Sequence, residues 1–336
     1  MSGPRIVAAT PAAVAEAARA LRAGDLVAFP TETVYGLGAD ADDPRAVARI
    51  FAAKRRPADH PVIVHLAEPE DVGAWAREVP PGAAALARAF WPGPLTLILP
   101  RAAHVSDAVT GGQDAVGLRV PSHPVARALL RAFAALGGRG VAAPSANRFG
   151  HVSPTTARHV ADDLGDAVGT ILDGGPCDVG IESTIVAFTA ALPTLLRPGG
   201  VALRDIARVL GGEPSGRDVR APRAPGSLAS HYAPRTPALL VAPGVLGAEV
   251  LQLAERDERV AVLARTVAQP AAFDGAWHAA PRAPEAYARD LYAALRALDA
   301  ADADAILIED VPDDPAWLAV RDRLARATHG VDDDRD

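Results

Sequence analysis

Residues 213–237, EPSGRDVRAPRAPGSLASHYAPRTP, break the chain in two. Pro, Gly, Ser and Arg dominate the stretch, a composition suited to a linker and unsuited to a packed strand or a long helix. Folding must therefore proceed on either side of it, and 336 residues suffice for two cores. Within the break, SLASHYAP sits oddly for a passive tether, because it carries a His, a Tyr and small apolar residues.

Beyond the break the pattern is regular. ALLVA, RVAVLA and DAILIED read as strands. VLGAEVLQLAER, PEAYARDLYAALRALDA and DPAWLAVRDRLARAT read as helices. Strands alternating with helices imply right-handed crossovers and a parallel sheet, so 238–330 is expected to form a small Rossmann-like α/β domain. No GxGxxG follows its first strand, so dinucleotide binding is not indicated. Residues 1–212 alternate as well. Helices are expected at 12–23, closed by Gly24, at 44–54, opening on Pro44, at 82–90, in HPVARALLRAFAAL and in TARHVADDLG. LVAFP, PVIVHL, LTLILP, VGLRVP, VAAPSAN, TILDGG, TIVAF and TLLRPG read as strands. Both halves are α/β.

Composition then narrows the class. The chain is 49% hydrophobic and 22% charged, as soluble domains are. It has no 18-residue apolar run, and its first residues lack a basic start followed by an apolar block, so neither a membrane span nor a signal peptide is expected. A single cysteine, Cys177, rules out a disulfide framework and a Cys-rich zinc site. A cytoplasmic protein is expected. Residues 1–210 hold 20 basic and 20 acidic side chains, whereas 211–336 hold 14 and 21, which accounts for the net charge of −7. A general nucleic-acid binder shows a basic excess, absent here. The tail VDDDRD reads as a solvated end.

The chemistry-bearing residues fall in six clusters after short strands. FPTETVYGLGAD brings Thr31, Glu32, Thr33 and Tyr35 between a strand and a Gly-bearing turn. KRRPADHPVIVHL holds Lys54, Arg55, Arg56, His60 and His65, at a helix end where positive charge suits the dipole. Lys54 is the only lysine; the other 33 basic residues are arginine. Arg119 lies among apolar neighbours in VGLRVP and needs a carboxylate or phosphate partner. APSANRFGHVSPT supplies Ser145, Asn147 and Ser153, the last placed to cap the following helix. GIESTIV and LRPG add Glu182, Ser183, Thr184 and Arg197. Cations, hydroxyls and an amide without a nucleophile–base pair suit phosphate-bearing ligands, where catalysis is positioning and charge neutralisation.

In order and spacing, FPTETVYGLGAD, AKRRPADHPVIVHL, FWPGPLTLIL, VGLRVPSHP, APSANRFGHVSPT, GIESTIV and LRPGG resemble the YrdC-like family. APGSLASHYAP and the α/β domain after it resemble the family's two-domain members. The resemblance implies a twisted α/β domain with a concave cleft over 1–212, a linker or lid containing HYAP over 213–237, and the smaller domain over 238–330. It implies a nucleotidyltransferase that combines L-threonine, bicarbonate or carbon dioxide, and ATP into threonylcarbamoyl-AMP and pyrophosphate. Threonine would meet Thr33, His65, Arg119, the backbone at Ala143, and Ser183. ATP would meet Arg56, His60, the backbone at Ala115, Ser145, Asn147, Ser153, Arg197 and Tyr232. Lys54 and Arg56 would carry catalysis by stabilising charge on the leaving group, with Mg²⁺ arriving on the phosphates and no metal held by the protein. The product would pass to a tRNA threonylcarbamoyl transferase complex, with at most a weak contact to tRNA itself. His60 stands where many members have Asn, and Gly226-Ser227-Leu228 where Gly-Met-Leu is commoner.

Two other classes compete. A cleft lined by Lys54, Arg55 and Arg56 could grip RNA, although aromatic residues are only 4% of the chain, few for base stacking. A carbamoyl-adenylate-forming carbamoyltransferase would share the domain but needs further Cys-rich domains, for which one cysteine leaves no provision.

Overall fold

A computed structural model describes residues 4–216, 221–226 and 230–329. The 331–336 tail and the Ser227-Leu228 pair, on which two expectations rest, lie outside them. The chain divides into two units, 1–149 with 153–227, and 150–152 with 228–336. The division falls inside the proline-rich break, whose 221–226 part belongs with the first unit.

The first unit runs β1 (Arg5–Ala8), α1 (Pro11–Arg22), β2 (Val27–Phe29), β3 (Gly36–Asp40), α2 (Pro44–Lys54), β4 (Ile63–His65), α3 (Pro81–Phe90), β5 (Leu95–Pro100), α4 (Asp107–Thr110) and β6 (Ala115–Arg119). It continues with α5 (Pro124–Ala135), β7 (Val141–Ala142), α6 (Ala157–Leu164), β8 (Thr170–Asp173), β9 (Thr184–Ala187), β10 (Thr194–Arg197) and α7 (Leu203–Leu210). Local chemistry sets the helix starts. The side chains of Thr10, Asp43 and His123 cap α1, α2 and α5, each with proline in the next position, where a missing N–H costs nothing.

The strands form a mixed ten-stranded sheet in the order β1-β8-β2-β3-β7-β4-β6-β5-β9-β10. One face is the main core, where Val64, Leu97, Leu99, Leu118 and Val186 pack with Ile50, Phe51 and Leu86 from the helices. Side chains alternate along a strand. Ile63, Ile98, Ala115, Ile185 and Leu196 therefore gather on the opposite face. That parity also carries His65, Thr96, Arg119 and Ser183, so the polar residues of the site share one face by periodicity.

The structure departs from expectation at identifiable places. GLGAD, read as a turn, is β3. A Cβ on Gly38 would lie 2.8 Å from the Phe29 ring and 3.0 Å from Val141, so glycine lets β2 and β7 close on this strand. Ser153 does not cap α6; Thr156 does, through its side chain to the N–H of His159. Ser153 instead donates to Glu182 at 2.6 Å. β1 and α7 were not expected.

The second unit holds β11 (Ala238–Val241), α8 (Pro243–Ala254), β12 (Val260–Ala264), β13 (Trp277–Ala279), α9 (Pro284–Asp299), β14 (Ala305–Glu309) and α10 (Leu318–Thr328). Its sheet is parallel throughout in the order β11-β14-β12-β13, the short edge strand β13 being the addition to the expected pattern. At the carboxyl end of β14, Glu309 accepts the N–H groups of Arg265, Thr266 and Val267 at 2.6, 2.7 and 3.0 Å. The chain's own carboxylate thus fills a cradle of the kind that holds a phosphate in related architectures.

Candidate functional site

Arg119 is the centre of the first cluster. It ends β6, pairs in register with His65 at the end of β4, and is 4% exposed. Its Nη2 lies 2.8 Å from Glu32 Oε1, its Nη1 donates to Thr33 Oγ1 at 2.9 Å, and its Nε donates to the Gly93 carbonyl at 3.3 Å. Glu32 Oε2 accepts the N–H of Ser122 at 3.0 Å. Thr31 Oγ1 donates to the Val34 carbonyl at 2.6 Å, so its contact with Thr33, at 2.8 Å, leaves Thr33 as the donor there. Protons thus run in one direction from Arg119 through Thr33 and Thr31 to the backbone. Burial alone raises the Glu32 carboxyl, but the charge of Arg119, with the Ser122 N–H, more than offsets this and holds it below its ordinary value.

His65 is buried edge-on against Phe29, with ring centroids 6.3 Å apart. Among the described residues its Nδ1 has no hydrogen-bond partner. Burial, then the Arg119 charge, push its pKa down to about 3, against a hydrogen bond with the Ile63 backbone that raises it. The imidazole therefore stays neutral through the physiological range. The unfolded chain binds a proton here that the folded chain does not, so this residue's contribution to stability is complete above about 6.5 and is lost as pH falls toward 3. Its ring resonances, followed by NMR, are expected to stay flat between about pH 5 and 8; a titration centred near the ordinary histidine value would overturn this.

On the neighbouring strands, Ser183 Oγ meets Thr96 Oγ1 at 2.8 Å. Arg197 donates to the Ser183 carbonyl through Nε at 3.1 Å and Nη2 at 2.9 Å, and through Nη1 to the Pro225 carbonyl at 2.9 Å. The 221–226 segment is consequently fixed rather than a free tether. Ala224 is buried in the apolar cluster that includes Ile63, Ile98 and Ala115, and Arg223 reaches the Gly111 carbonyl at 2.8 Å.

A second cluster surrounds the end of α2. Lys54 is 2% exposed, and its ammonium donates to the carbonyls of Ser145 and Asn147. The Phe149 N–H returns to the Lys54 carbonyl at 3.0 Å. Arg55, left-handed at φ 53°, turns the chain out of the helix. Arg56 then donates to the Pro61 carbonyl at 2.7 Å, with its guanidinium over the Phe51 and Phe149 rings at 6.0 and 5.7 Å. The His60 ring meets Phe149 edge-on at 5.2 Å, and burial followed by the Arg56 charge lowers its pKa. Lys54 was expected to follow a moving phosphate or carboxylate oxygen. In the structure the ammonium donates to the carbonyls of the loop that displays Ser145 and Asn147.

Thr33 and His65 thus lie beside the Arg119 guanidinium, Ser183 meets Thr96 and Arg197 on the neighbouring strands, and Ala143 is joined to β4 through its N–H to the Ile63 carbonyl at 3.0 Å. Arg56, His60, Ser145 and Asn147 form the group around α2, Ala115 lies in the apolar cluster, and Ser153 meets Glu182. Tyr232 belongs to the second unit, where φ is +61°, its ring stacks on Tyr292 at 5.7 Å, and Arg323 lies over it at 5.1 Å. Sequence reasoning gave no role to Glu32 or Thr96. Thr96 was detectable as the one hydroxyl in an apolar strand, on the parity opposite the leucines of LTLILP.

Among the described residues, no helix is long and apolar enough to cross a membrane, and no three His, Cys, Asp or Glu side chains are grouped to hold a metal ion. Residues 19–199 match the Sua5_yciO_yrdC family model, described as "Telomere recombination", and residues 201–329 match the model described as "Threonylcarbamoyl-AMP synthase, C-terminal domain". The chain is 42% identical over 323 residues to a threonylcarbamoyl-AMP synthase of Pyrococcus abyssi, covering 93% of each chain. It is 40% identical over 328 residues to one of Bacillus subtilis, covering 94% of this chain and 93% of the other. Among solved structures, P. abyssi Sua5 complexed with L-threonine matches with a TM-score of 0.89 at 39% identity, over 96% of this chain and 97% of that one.

Proposed function

Because the chain belongs to the Sua5–YciO–YrdC family and carries the C-terminal domain of threonylcarbamoyl-AMP synthases, we infer that it makes L-threonylcarbamoyladenylate from L-threonine, bicarbonate or carbon dioxide, and ATP, with release of pyrophosphate. This is the first step of threonylcarbamoyladenosine modification of tRNA. The observation that carries the reading is the near full-length match, at 39% identity, to a relative solved with L-threonine. The buried Arg119, whose guanidinium can donate a charge-assisted hydrogen bond to a carboxylate, supports it from this chain's own residues.

Chemistry follows from that premise. The threonine amine adds to carbon dioxide, losing a proton, to give an N-carboxylate. A carboxylate oxygen attacks the α-phosphorus of ATP, the bond to the bridging oxygen breaks, and pyrophosphate leaves. No covalent bond to the protein forms. The protein's task is to hold two mutually repelling anions in line and to keep water from the mixed anhydride. Thr33, His65, Arg119, Ser183 and the backbone at Ala143 hold threonine. Arg56, His60, Ser145, Asn147, Ser153, Arg197 and the backbone at Ala115 hold ATP, and Tyr232 is the contribution of the HYAP segment. Arg56 carries the charge stabilisation, and Lys54 fixes the loop that presents Ser145 and Asn147. Mg²⁺ enters with the ATP phosphates. The product, made in the cytoplasm, passes to a tRNA threonylcarbamoyl transferase complex. With Lys54 buried and spent on carbonyls, the basic cluster is a poor grip for RNA, which disfavours the binding-module reading.

Pyrophosphate release by purified protein with ATP, Mg²⁺ and bicarbonate is expected to require L-threonine and to be much weaker with L-serine, with an AMP-linked product formed in equal amount. Release indifferent to threonine would sink the reading.

A further inference from the structure

The ion pair between Glu32 and Arg119 is incomplete. Their Oε1 and Nη2 atoms lie 2.8 Å apart, yet among the described residues neither atom has a hydrogen-bond partner of acceptable geometry. Both side chains are buried, Glu32 at 5% and Arg119 at 4% exposure. The other polar atoms of the two residues are satisfied, by Ser122, Thr33 and Gly93. One carboxylate oxygen and one guanidinium nitrogen, side by side, therefore retain unspent hydrogen-bonding capacity in a dry place. Buried polar groups are rarely left so, and an exception calls for a ligand or another reason. The missing partners are one acceptor for Arg119 and one donor for Glu32.

A zwitterionic α-amino acid supplies both on adjacent atoms: a carboxylate to accept from Nη2 and an ammonium to donate to Oε1. We propose that Glu32 is a substrate-binding residue which takes the α-ammonium of the amino-acid substrate while Arg119 takes its carboxylate. The assignment rests on the synthase reading above and deepens it. It explains why a carboxylate stands beside the arginine that must receive a carboxylate. Without the incoming ammonium, two negative groups would share one guanidinium and repel; with it, charges alternate. It also makes the site selective for amino acids over hydroxy acids and dicarboxylates of similar size.

The test perturbs both partners, the residue and the amine. Binding of L-threonine and of its desamino analogue, (R)-3-hydroxybutyrate, is measured by calorimetry on wild-type protein, Glu32→Gln and Glu32→Asp. Wild type is expected to favour threonine by about 10- to 100-fold, the scale of one hydrogen bond between charged groups. Glu32→Gln keeps the shape and an oxygen for the Ser122 N–H but loses the charge, and the preference is expected to collapse toward unity because threonine alone weakens. Glu32→Asp, which keeps the charge, is expected to retain part of the preference. If Glu32 only braces Arg119, both ligands weaken together in Glu32→Gln and the ratio holds, which overturns the assignment. Equal binding of the two ligands by wild type overturns it without any variant. Wild-type protein that binds neither ligand, and shows no threonine-dependent pyrophosphate release, removes the synthase reading itself.

Discussion

Arg119→Ala is expected to reduce threonine-dependent pyrophosphate release by about 10- to 100-fold, from one charge-assisted hydrogen bond to the substrate carboxylate worth roughly 1.5–3 kcal/mol. The same change should destabilise the fold, because it leaves Glu32 buried beside an empty space. Removing one partner of a buried pair costs about 3–5 kcal/mol. The two effects can be separated. Burial is the largest influence on the Glu32 carboxyl and raises it; Arg119 is what holds it down. Without Arg119 its folded pKa rises above the unfolded value, so the folded state binds the proton more tightly and stability falls as pH increases. Arg119→Ala should therefore be closer to wild-type stability at pH 5 than at pH 8 by thermal denaturation. Adding Glu32→Gln should recover much of the loss at pH 8 and none of the activity. A variant equally destabilised at both pH values would show that Arg119 matters to the fold by packing rather than by charge. Near-normal turnover would remove it from the substrate site.

Legibility in the sequence tracked how local the cause was. Arg119 was visible because an arginine between Leu118 and Val120 has to be buried and has to be paired. Its partner was not, because Glu32 lies 87 positions away in the chain and only the fold brings them to 2.8 Å. The helices starting at Pro11, Pro44 and Pro124 were legible because capping and proline act within one turn. β3 was hidden because two glycines imitate a turn; what makes GLGAD a strand is the approach of Phe29 and Val141 from other strands. β1 is four residues on the edge of the sheet with a mostly exposed pattern, too little periodicity to detect. α7 was amphipathic but lay between the LRPGG motif and the proline-rich break, and only Ile206 is buried in it. The placement of 150–152 in the second unit is a tertiary fact. It depends on the bridge between His151 and Ala233 and on the N–H of Ala233 reaching the Gly150 carbonyl at 3.0 Å.

Lys54→Arg is expected to lower kcat/KM for ATP by about 10- to 100-fold, the scale of a 1–3 kcal/mol overpacking cost passed to the loop that Lys54 anchors. Its ammonium sits in a closed space between two backbone carbonyls. Burial, then the Arg56 charge, push its pKa well below that of a free lysine, against the attraction of Asp163. Its three N–H groups hold together the end of α2 and the loop carrying Ser145 and Asn147. A guanidinium is larger and planar and cannot converge on both carbonyls as a tetrahedral ammonium does. Forcing it in should cost about 1–3 kcal/mol of overpacking and move the loop. Because that loop belongs to the ATP group, the KM for ATP should rise while threonine binding, centred on Arg119, stays within a few-fold of wild type. Lys54→Met should act in the same direction by a different route, leaving two carbonyls unsatisfied at about 1–3 kcal/mol each. The pattern distinguishes a loop anchor from a catalytic cation. If both variants keep their ATP and threonine affinities and lose only kcat, the ammonium reaches the reacting phosphate and the anchor role fails. If Lys54→Arg turns over like wild type, the chain's only lysine is an accident of composition.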